Sequence, residues 1–258
     1  MQIAVCVKQV PDTETKIKLS PDSSSVDFAG VKWIISPYDE HAIEESIKLR
    51  DANPNSKVTV YGLGPKARVV EALRTALAMG VDEATVVDAP DHLDNTLTSV
   101  ALARAIKAAG PCDLVLTGKL AIDDNSACVS QMIASELNIP HITVVSKMSV
   151  AENQVVVERE VEGGTKEIYQ VSLPAVIAAN KGLNVPRYAS LPGIMKAKKK
   201  TIKELDLVSL DVDASKIRVK YSKFQLPPAK PPIKMLQGDV SVQVKELTRL
   251  LREEAKVV

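Results

Sequence analysis

The chain has 258 residues, of which 45% are hydrophobic and 25% charged, a composition typical of a globular protein that buries a sizeable core. Its formal net charge is only +1 and its aromatic content 3%, whereas nucleic-acid-binding proteins often carry a broad basic face with aromatic side chains for stacking. The three cysteines, Cys6, Cys112 and Cys128, are an odd number without CxxC spacing, and indicate neither a disulfide framework nor an oxidising compartment.

Short apolar runs alternate with helical patterns through the first two thirds of the chain. Strands are predicted at 2–7, 57–63, 83–89 and 113–118, and helices at 37–51, 65–80, 95–110 and 125–138. This alternation predicts right-handed crossovers and a parallel sheet with helices on both faces, which is an α/β fold.

Capping signals mark the ends of two of these helices. Ser36 is the expected N-cap of the first helix, with Pro37 at its first position and Asp39 completing a capping box. Gly80 is the expected C-terminal cap of the second helix.

The pattern changes near Ile142. The segment 155–173, VVVEREVEGGTKEIYQVSL, alternates with period two around Gly163-Gly164 and predicts a β-hairpin. Arg159 falls in the apolar row of this hairpin, so its guanidinium needs a partner from elsewhere in the chain or from another chain. The following run, 173–180, predicts one more buried strand.

The last quarter of the chain has a different character. Without Lys196, Lys198, Lys199, Lys200 and Lys203 the net charge of +1 would be −4, so the positive charge is local. The proline-rich stretch LPPAKPP is expected to be extended, and a helical stripe of Val240, Val244, Leu247 and Leu251 follows it. Such an arm needs a surface to cover, which a second chain could supply.

The loop after the strand 113–118 is the most informative one. LTGKLAIDDNSACVS leaves the carboxyl end of that strand and runs into a helix start, which is where open parallel sheets bind ligands. The alternative is a connecting loop in which Asn125 or Ser126 only caps the helix. Gly62 and Gly64 likewise indicate either a nucleotide-facing turn or merely a tight turn. His41, His92 and His141 show no metal-ligand spacing, and no nucleophile motif is present.

The stretch LPGIMKAKKK, 191–200, has two interpretations. Pro192 and Gly193 are expected to prevent a regular helix before Ile194, so that Leu191 projects from a loop. Leu191, Ile194 and Met195 would then form an apolar tip, and the lysines would steer an acidic partner. The alternative is an ordinary surface loop followed by a solvated helix.

The segments VEREVEGG, GKLAIDDNSACVSQM, RTALAMGVDEA and LPAVIAANKGLNVPRYASLPGIMKAKKK closely resemble the β subunit of electron transfer flavoprotein, and the similarity runs through the whole chain. The resemblance implies a Rossmann-like parallel sheet with flanking helices, an added β-hairpin and an extended C-terminal arm. It further implies a nucleotide-binding domain at 1–190, a partner recognition loop and helix at 191–205, and an arm at 206–258 that wraps the α subunit.

The resemblance also assigns binding residues. Those of an AMP pocket are Cys6, Ser36, Pro37, Tyr38, Asp39, Leu63, Gly118, Lys119, Leu120, Ala121, Ile122, Asp123, Asp124, Asn125, Ser126, Ala127, Cys128 and Val129. Those of partner binding are Leu191, Pro192, Gly193, Ile194 and Met195 of the recognition loop, with Leu191 as the anchor, and Arg159 and Glu160 at the α-subunit interface.

The function implied by the resemblance is that of an electron carrier, without enzymatic activity of its own. An α subunit would hold the redox-active FAD, acyl-CoA and related dehydrogenases would donate electrons, and a membrane quinone oxidoreductase would accept them. A second branch binds FAD in place of AMP in this subunit and oxidises NADH; its loop reads more like AIDGDTAQVG, whereas this chain has AIDDNSACVS. AMP is therefore expected.

No segment reaches the roughly 18 apolar residues of a membrane span, and no signal peptide is recognisable. The expected location is the bacterial cytoplasm, or the mitochondrial matrix for a processed eukaryotic form.

Overall fold

The structure is a computed structural model that describes residues 1–91 and 93–258. The chain forms two compact units, one of Met1–Ile17 and Asp27–Ser222, the other of Lys18–Val26 and Lys223–Val258. The predicted recognition segment, 191–205, lies in the first unit.

The strands are β1 (Gln2–Val7), β2 (Gln9–Pro11), β3 (Lys18–Leu19), β4 (Val26–Asp27), β5 (Trp33–Ile35), β6 (Lys57–Gly64), β7 (Glu83–Asp88), β8 (Leu114–Gly118), β9 (His141–Ala151), β10 (Gln154–Glu160), β11 (Lys166–Ser172), β12 (Ala175–Ala179) and β13 (Lys203–Asp206). The α-helices are α1 (Pro37–Ala52), α2 (Lys66–Met79), α3 (Asn95–Ala108), α4 (Val129–Leu137), α5 (Leu191–Lys199) and α6 (Val240–Arg249).

Nine strands form the central sheet, in the order β11-β10-β9-β12-β8-β1-β6-β7-β13. The pairs from β9 to β13 are parallel, and only β10 pairs antiparallel with its two neighbours. This mostly parallel sheet with flanking helices confirms the predicted Rossmann-like α/β fold.

Two apolar clusters cover the two faces of the sheet. Alternate side chains of β1 point to opposite faces, because the strand period is two: Ile3 and Val5 pack with α1 and α2, whereas Ala4 and Cys6 pack with α3 and α4. The central strands are buried on both sides, so they read as continuous apolar runs in the sequence.

The hairpin prediction is confirmed. β10 and β11 pair from Gln154–Ser172 to Glu160–Lys166, and a 3₁₀ turn at Glu162–Gly164 joins them. Gly163 and Gly164 both have φ near +75°, a conformation that residues with a Cβ rarely adopt.

The helix-end predictions have mixed outcomes. Gly80 ends α2 with φ of 128°, as predicted, and its N–H bonds to the carbonyl oxygens of Ala76 and Leu77. Ser36 is the N-cap residue of α1, but its side chain makes no capping hydrogen bond. The predicted capping box is wrong, because Ser36 N–H donates to the Lys8 carbonyl, and the Asp39 carboxyl accepts instead from the backbone N–H groups of Lys8, just after β1, and Gly118, at the end of β8.

In the second unit, α6 carries Val240, Val244 and Leu247 of the predicted stripe, and Leu251 lies in the π-helical turn at Leu250–Glu254 that follows it. Val240, Val244 and Leu247 are exposed, at 76%, 55% and 48%. Across the stretches 1–91 and 93–258, the structure has no helix whose length and apolar character would allow it to cross a membrane.

Candidate functional site at the carboxyl edge of the sheet

Asp39 connects three elements at the carboxyl edge of the sheet. Its Oδ2 accepts from the backbone N–H of Lys8, just after β1, at 2.8 Å, and its Oδ1 accepts from the backbone N–H of Gly118, the last residue of β8, at 2.8 Å. Asp39 itself lies in the first turn of α1. One buried carboxyl therefore fixes the start of α1 against the ends of β1 and β8.

The environment of Asp39 is unusual for a carboxyl group. Burial raises the pKa of Asp39 to about 7, against the two backbone hydrogen bonds, which lower it. The group therefore changes its charge near neutral pH.

Gly118 is required for this close approach. A Cβ on Gly118 would lie 2.7 Å from Tyr38 Cβ and 2.8 Å from the Tyr38 carbonyl carbon, and would contact Asp39 Oδ1. Any larger residue would push the start of α1 away from β8, so the glycine belongs to the construction of the site.

Lys8 fastens the loop that follows β8. Its Nζ lies 2.8 Å from Asp123 and 3.2 Å from Asp124. Burial alone would lower the pKa of Lys8, but the charges and hydrogen bonds of the two carboxylates outweigh it and raise the pKa. Sequence reasoning missed Lys8, although a lysine directly after a buried strand, at the edge where ligands bind, is a usable signal.

The loop ends in a helix start whose N–H groups have no side-chain cap. Asn125 and Ala127 adopt positive φ of 52° and 49°, and Cys128 is the N-cap residue of α4 without a side-chain hydrogen bond. The alternative in which Asn125 or Ser126 caps the helix is therefore wrong. The first N–H groups of α4 are the kind that bind anions.

Several predicted residues surround this edge. Ser36 is buried, and its hydroxyl donates to the Leu120 carbonyl at 3.5 Å. Lys119 Nζ lies 4.9 Å from the ring centroid of Tyr38, a cation–π arrangement. Leu63 lies on β6, two strands along the sheet from β8.

Cys6 lies in β1 with its side chain in the apolar cluster that α3 and α4 cover. Burial, and then the negative charge of Asp39, raise the pKa of the Cys6 thiol well above its ordinary value. The thiol therefore stays protonated and unreactive at neutral pH.

Gly62 and Gly64, in the last three residues of β6, have local structural roles. Gly64 has φ of 139°, and a Cβ on Gly62 would lie 2.7 Å from Val69 Cγ1. These glycines let the chain turn and let α2 pack closely on β6, which favours the tight-turn interpretation.

Arg159 is half-buried, and its partner comes from the other strand of the hairpin. Its Nη1 lies 3.6 Å from Glu167 Oε2, and the two residues are directly opposite in the β10–β11 ladder. Its buried Nε has no hydrogen-bond partner within the described part of the chain. Glu160 accepts from Asn180 Nδ2 at 3.0 Å, which places Glu160 beside the end of β12.

The recognition segment is helical from its first residue, contrary to the prediction. α5 begins at Leu191, since Ser190 caps it by accepting from Gly193 N–H at 3.1 Å, and Pro192 stands where a helix needs no intrahelical N–H. The apolar tip is nevertheless exposed, with Leu191 at 79% and Met195 at 60%.

No group of three or more His, Cys, Asp or Glu residues suited to a metal ion occurs among residues 1–91 and 93–258. His41 Nδ1 lies 3.1 Å from Asn184 Oδ1, and His141 begins β9. His92 lies outside the described residues.

A mostly parallel sheet with helices on both faces and a loop-lined carboxyl edge defines a Rossmann-like α/β protein. Residues 24–210 match the model of the electron transfer flavoprotein domain. The chain is 41% identical to the electron transfer flavoprotein subunit beta of Bacillus subtilis, over all of both chains. It is 40% identical to the mitochondrial subunit beta of Oryza sativa subsp. indica, over all of both chains, and 36% identical to subunit beta of Sus scrofa, over 100% of this chain and 99% of the relative.

The chain therefore belongs to the electron transfer flavoprotein family. The names of these relatives describe a subunit of an electron carrier, in agreement with the prediction of a carrier subunit without enzymatic activity of its own.

Proposed function

We propose that this chain is the β subunit of an electron transfer flavoprotein and binds AMP at the carboxyl edge of its sheet. An α subunit completes the heterodimer and holds the FAD, which supplies the redox chemistry. Acyl-CoA and related dehydrogenases donate electrons, and a membrane quinone oxidoreductase accepts them. The observation that carries the proposal is the convergence of Ser36–Asp39 and the loop 118–129 at one sheet edge, in a chain similar over its full length to β subunits.

The residues at this edge suit a nucleoside monophosphate. The uncapped N–H groups at the start of α4 would bind the phosphate. Asp123 and Asp124 would repel it if they were free, but Lys8 pairs with both of them. The preference for AMP over a second FAD is supported by Asp124 and Asn125, which stand where the NADH-oxidising branch typically has a glycine-containing loop.

The bound nucleotide can be identified directly. The heterodimer, purified with its α subunit, would be denatured, and the released small molecules would be separated and quantified by absorbance and mass spectrometry. We expect one FAD and one AMP per heterodimer. Two FAD per heterodimer would refute the AMP assignment and favour the NADH-oxidising branch.

Leu191 is proposed to be the anchor that enters an apolar pocket on the donor dehydrogenase. Burying one such side chain is worth about 1.5–3 kcal/mol, so Leu191→Ala should raise the KM of an acyl-CoA dehydrogenase for the heterodimer roughly tenfold or more. The flavin absorbance spectrum of the heterodimer should not change, because Leu191 lies outside the sheet-edge site.

Val208→Ala provides a matched control for the anchor experiment. Val208 is 86% exposed and lies in the same compact unit, away from α5 in sequence. Its truncation removes a similar exposed apolar surface and should leave the KM unchanged. An unchanged KM for Leu191→Ala as well would show that Leu191 is not the anchor.

A further inference from the structure

The segment between β12 and α5 is irregular in backbone structure, yet polar side chains fasten it to α1. Residues 181–190 contain no helix or strand. Two of them, Asn184 and Arg187, reach the carboxylates of the neighbouring α1 residues Glu45 and Glu44. These contacts lie outside the sheet-edge site.

Arg187 and Glu44 form the stronger of the two attachments. Arg187 Nε donates to Glu44 Oε2 at 2.8 Å, Nη2 donates to Oε1 at 3.0 Å, and the Arg187 backbone N–H also donates to Oε2 at 3.1 Å. The Glu44 side chain is only 8% exposed. Burial alone would raise the pKa of Glu44, but the hydrogen bonds from Arg187 outweigh it and keep the carboxylate ionised.

Asn184 makes the second attachment. Its Nδ2 donates to the His41 carbonyl and to Glu45 Oε2, both at 2.9 Å, while its Oδ1 lies 3.1 Å from His41 Nδ1. The carboxamide is thus held at both ends by α1, one turn from the Glu44 contact. Together, Arg187–Glu44 and Asn184–His41–Glu45 are called the α1 brace below.

Leu183 and Ala189 of this segment pack against the core, but three other apolar side chains at its end face outward. Val185, Tyr188 and Leu191 are 88%, 99% and 79% exposed, whereas the Glu44 and Glu45 side chains that hold the segment are nearly buried. In a chain without a partner for this surface, burying these three apolar side chains would be more favourable than exposing them. The brace therefore maintains an outward apolar row.

The helix that follows is fixed independently at its other end. Arg74 Nη1 donates to the Ala197 and Lys200 carbonyl oxygens, and Lys200 Nζ donates to the carbonyl oxygens of Val81 and Asp82 at 2.8 and 2.9 Å. Leu191 precedes the contact of Gly193 with Ala78 of α2, so the orientation of Leu191 depends in addition on the segment that enters the helix. That segment is held by the α1 brace.

We infer that Glu44, Asn184 and Arg187 are positioning residues, which act through the backbone of 184–190 to aim Leu191 at its dehydrogenase pocket. This inference rests on the proposed docking function of Leu191. The occupant of the surface is a dehydrogenase with an apolar pocket and an acidic rim, since the exposed Lys196, Lys198 and Lys199 lie one to two turns beyond the anchor. None of the three positioning residues needs to contact the dehydrogenase itself.

The test uses the complete heterodimer and an acyl-CoA dehydrogenase as electron donor. Arg187→Gln and Asn184→Ala should each raise the dehydrogenase's KM for the heterodimer about three- to tenfold, because Leu191 is no longer held in its docking orientation. The kcat of the dehydrogenase at saturating heterodimer and the flavin spectrum should stay at the wild-type values. The heterodimer concentration is set from its bound flavin, so that unfolded protein is not counted and a raised KM with an unchanged kcat reports weaker docking.

Two further variants complete the design. Arg104→Gln is the matched control. Arg104 is also half-exposed and also pairs with carboxylates, but it lies on α3 and is distant in sequence from the α1 brace. It should leave the KM unchanged. The double variant Arg187→Gln/Leu191→Ala should be little worse than Leu191→Ala alone, since the brace acts only through the anchor.

The outcomes separate this inference from the proposed function. If Leu191→Ala raises the KM while Arg187→Gln and Asn184→Ala leave it unchanged, the positioning role is overturned and the docking function stands. If the effects of Arg187→Gln and Leu191→Ala multiply fully in the double variant, Arg187 acts by a separate contact and the inference is again overturned. If Leu191→Ala has no effect, the docking function itself fails, and the inference falls with it.

Discussion

Asp39 shows how much structure a single buried side chain can organise. Its two carboxyl oxygens accept from the N–H groups that follow β1 and end β8, and both oxygens can accept whether or not the group is protonated. The sequence pattern alone assigned Asp39 to a capping box, because an acidic residue three positions after a serine fits that motif. The local pattern cannot show that the backbone N–H groups at two strand ends, which are distant in sequence, both donate to this carboxyl.

Replacing Asp39 by Asn should destabilise the protein by about 1–3 kcal/mol, because the amide NH₂ cannot accept from the second backbone N–H and leaves it buried without a partner. Urea unfolding followed by circular dichroism measures this change. Asp211→Asn is the control, since the Asp211 side chain is fully exposed and the change should be close to silent. Equal stabilities of Asp39→Asn and wild type would contradict the assigned hydrogen bonds.

The pKa of Asp39 also predicts a pH dependence. The folded-state pKa, about 7, is above the unfolded value of 3.8, so the folded protein binds an extra proton between these values. The stability from this group is complete below pH 3.8 and is lost as the pH rises through 7, with a slope of at most about 1.4 kcal/mol per pH unit.

The destabilisation caused by Asp39→Asn should therefore be larger at pH 5 than at pH 8, which urea unfolding at both pH values measures. A pH-independent difference between the two proteins would show that Asp39 titrates normally in the fold.

At the scale of elements, the sequence predicted the alternating strands and helices well, because the buried parallel strands are continuous apolar runs with distinct breakers between them. It missed β13, Lys203–Asp206, because these residues are mostly charged and show no apolar strand pattern. They form a strand by pairing with β7. It also placed the start of α5 too late. Pro192 and Gly193 disfavour the interior of a helix, but the first turn tolerates both.

α5 packs closely on α2 at one point. A Cβ on Gly193 would contact the Ala78 carbonyl oxygen, so Gly193→Ala must displace the start of α5 from α2. We expect a loss of stability of about 1–3 kcal/mol, typical of overpacking, together with faster hydrogen exchange in α5. Lys196→Ala, at an exposed position of the same helix, should show neither effect. Unchanged exchange rates in Gly193→Ala would contradict the close packing.

At the scale of the whole molecule, the net charge is only +1. The exposed lysines of α5 therefore form a local positive patch, which attracts an acidic partner only at short range. Lys196, Lys198 and Lys199 are exposed, whereas the ammonium group of Lys200 is engaged by backbone carbonyls. The sequence could not separate these four lysines, since a run of identical residues carries no information about which one turns inward.

Electron acceptance from a dehydrogenase should slow as the ionic strength rises, because salt screens the attraction between the lysines and an acidic rim. Replacing Lys196, Lys198 and Lys199 by Gln should flatten this dependence, which stopped-flow rates at several salt concentrations measure. Replacing Lys16, Lys57 and Lys107 by Gln instead lowers the net charge equally, from +1 to −2. This variant should leave the dependence of the rate on ionic strength nearly unchanged. Equal slopes for both triple variants would assign the effect to net charge.

α5 lies between β12 and β13 along the chain. β12 lies inside the sheet and β13 at its edge, five places away in the strand order, so both ends of the recognition segment are fixed to one rigid platform. A flexible loop loses conformational freedom when a partner immobilises it, and that loss weakens binding by roughly 0.5–1.5 kcal/mol per ordered side chain. Here folding has already removed much of that freedom, so the proposed docking requires less ordering of the segment than docking by a flexible loop would.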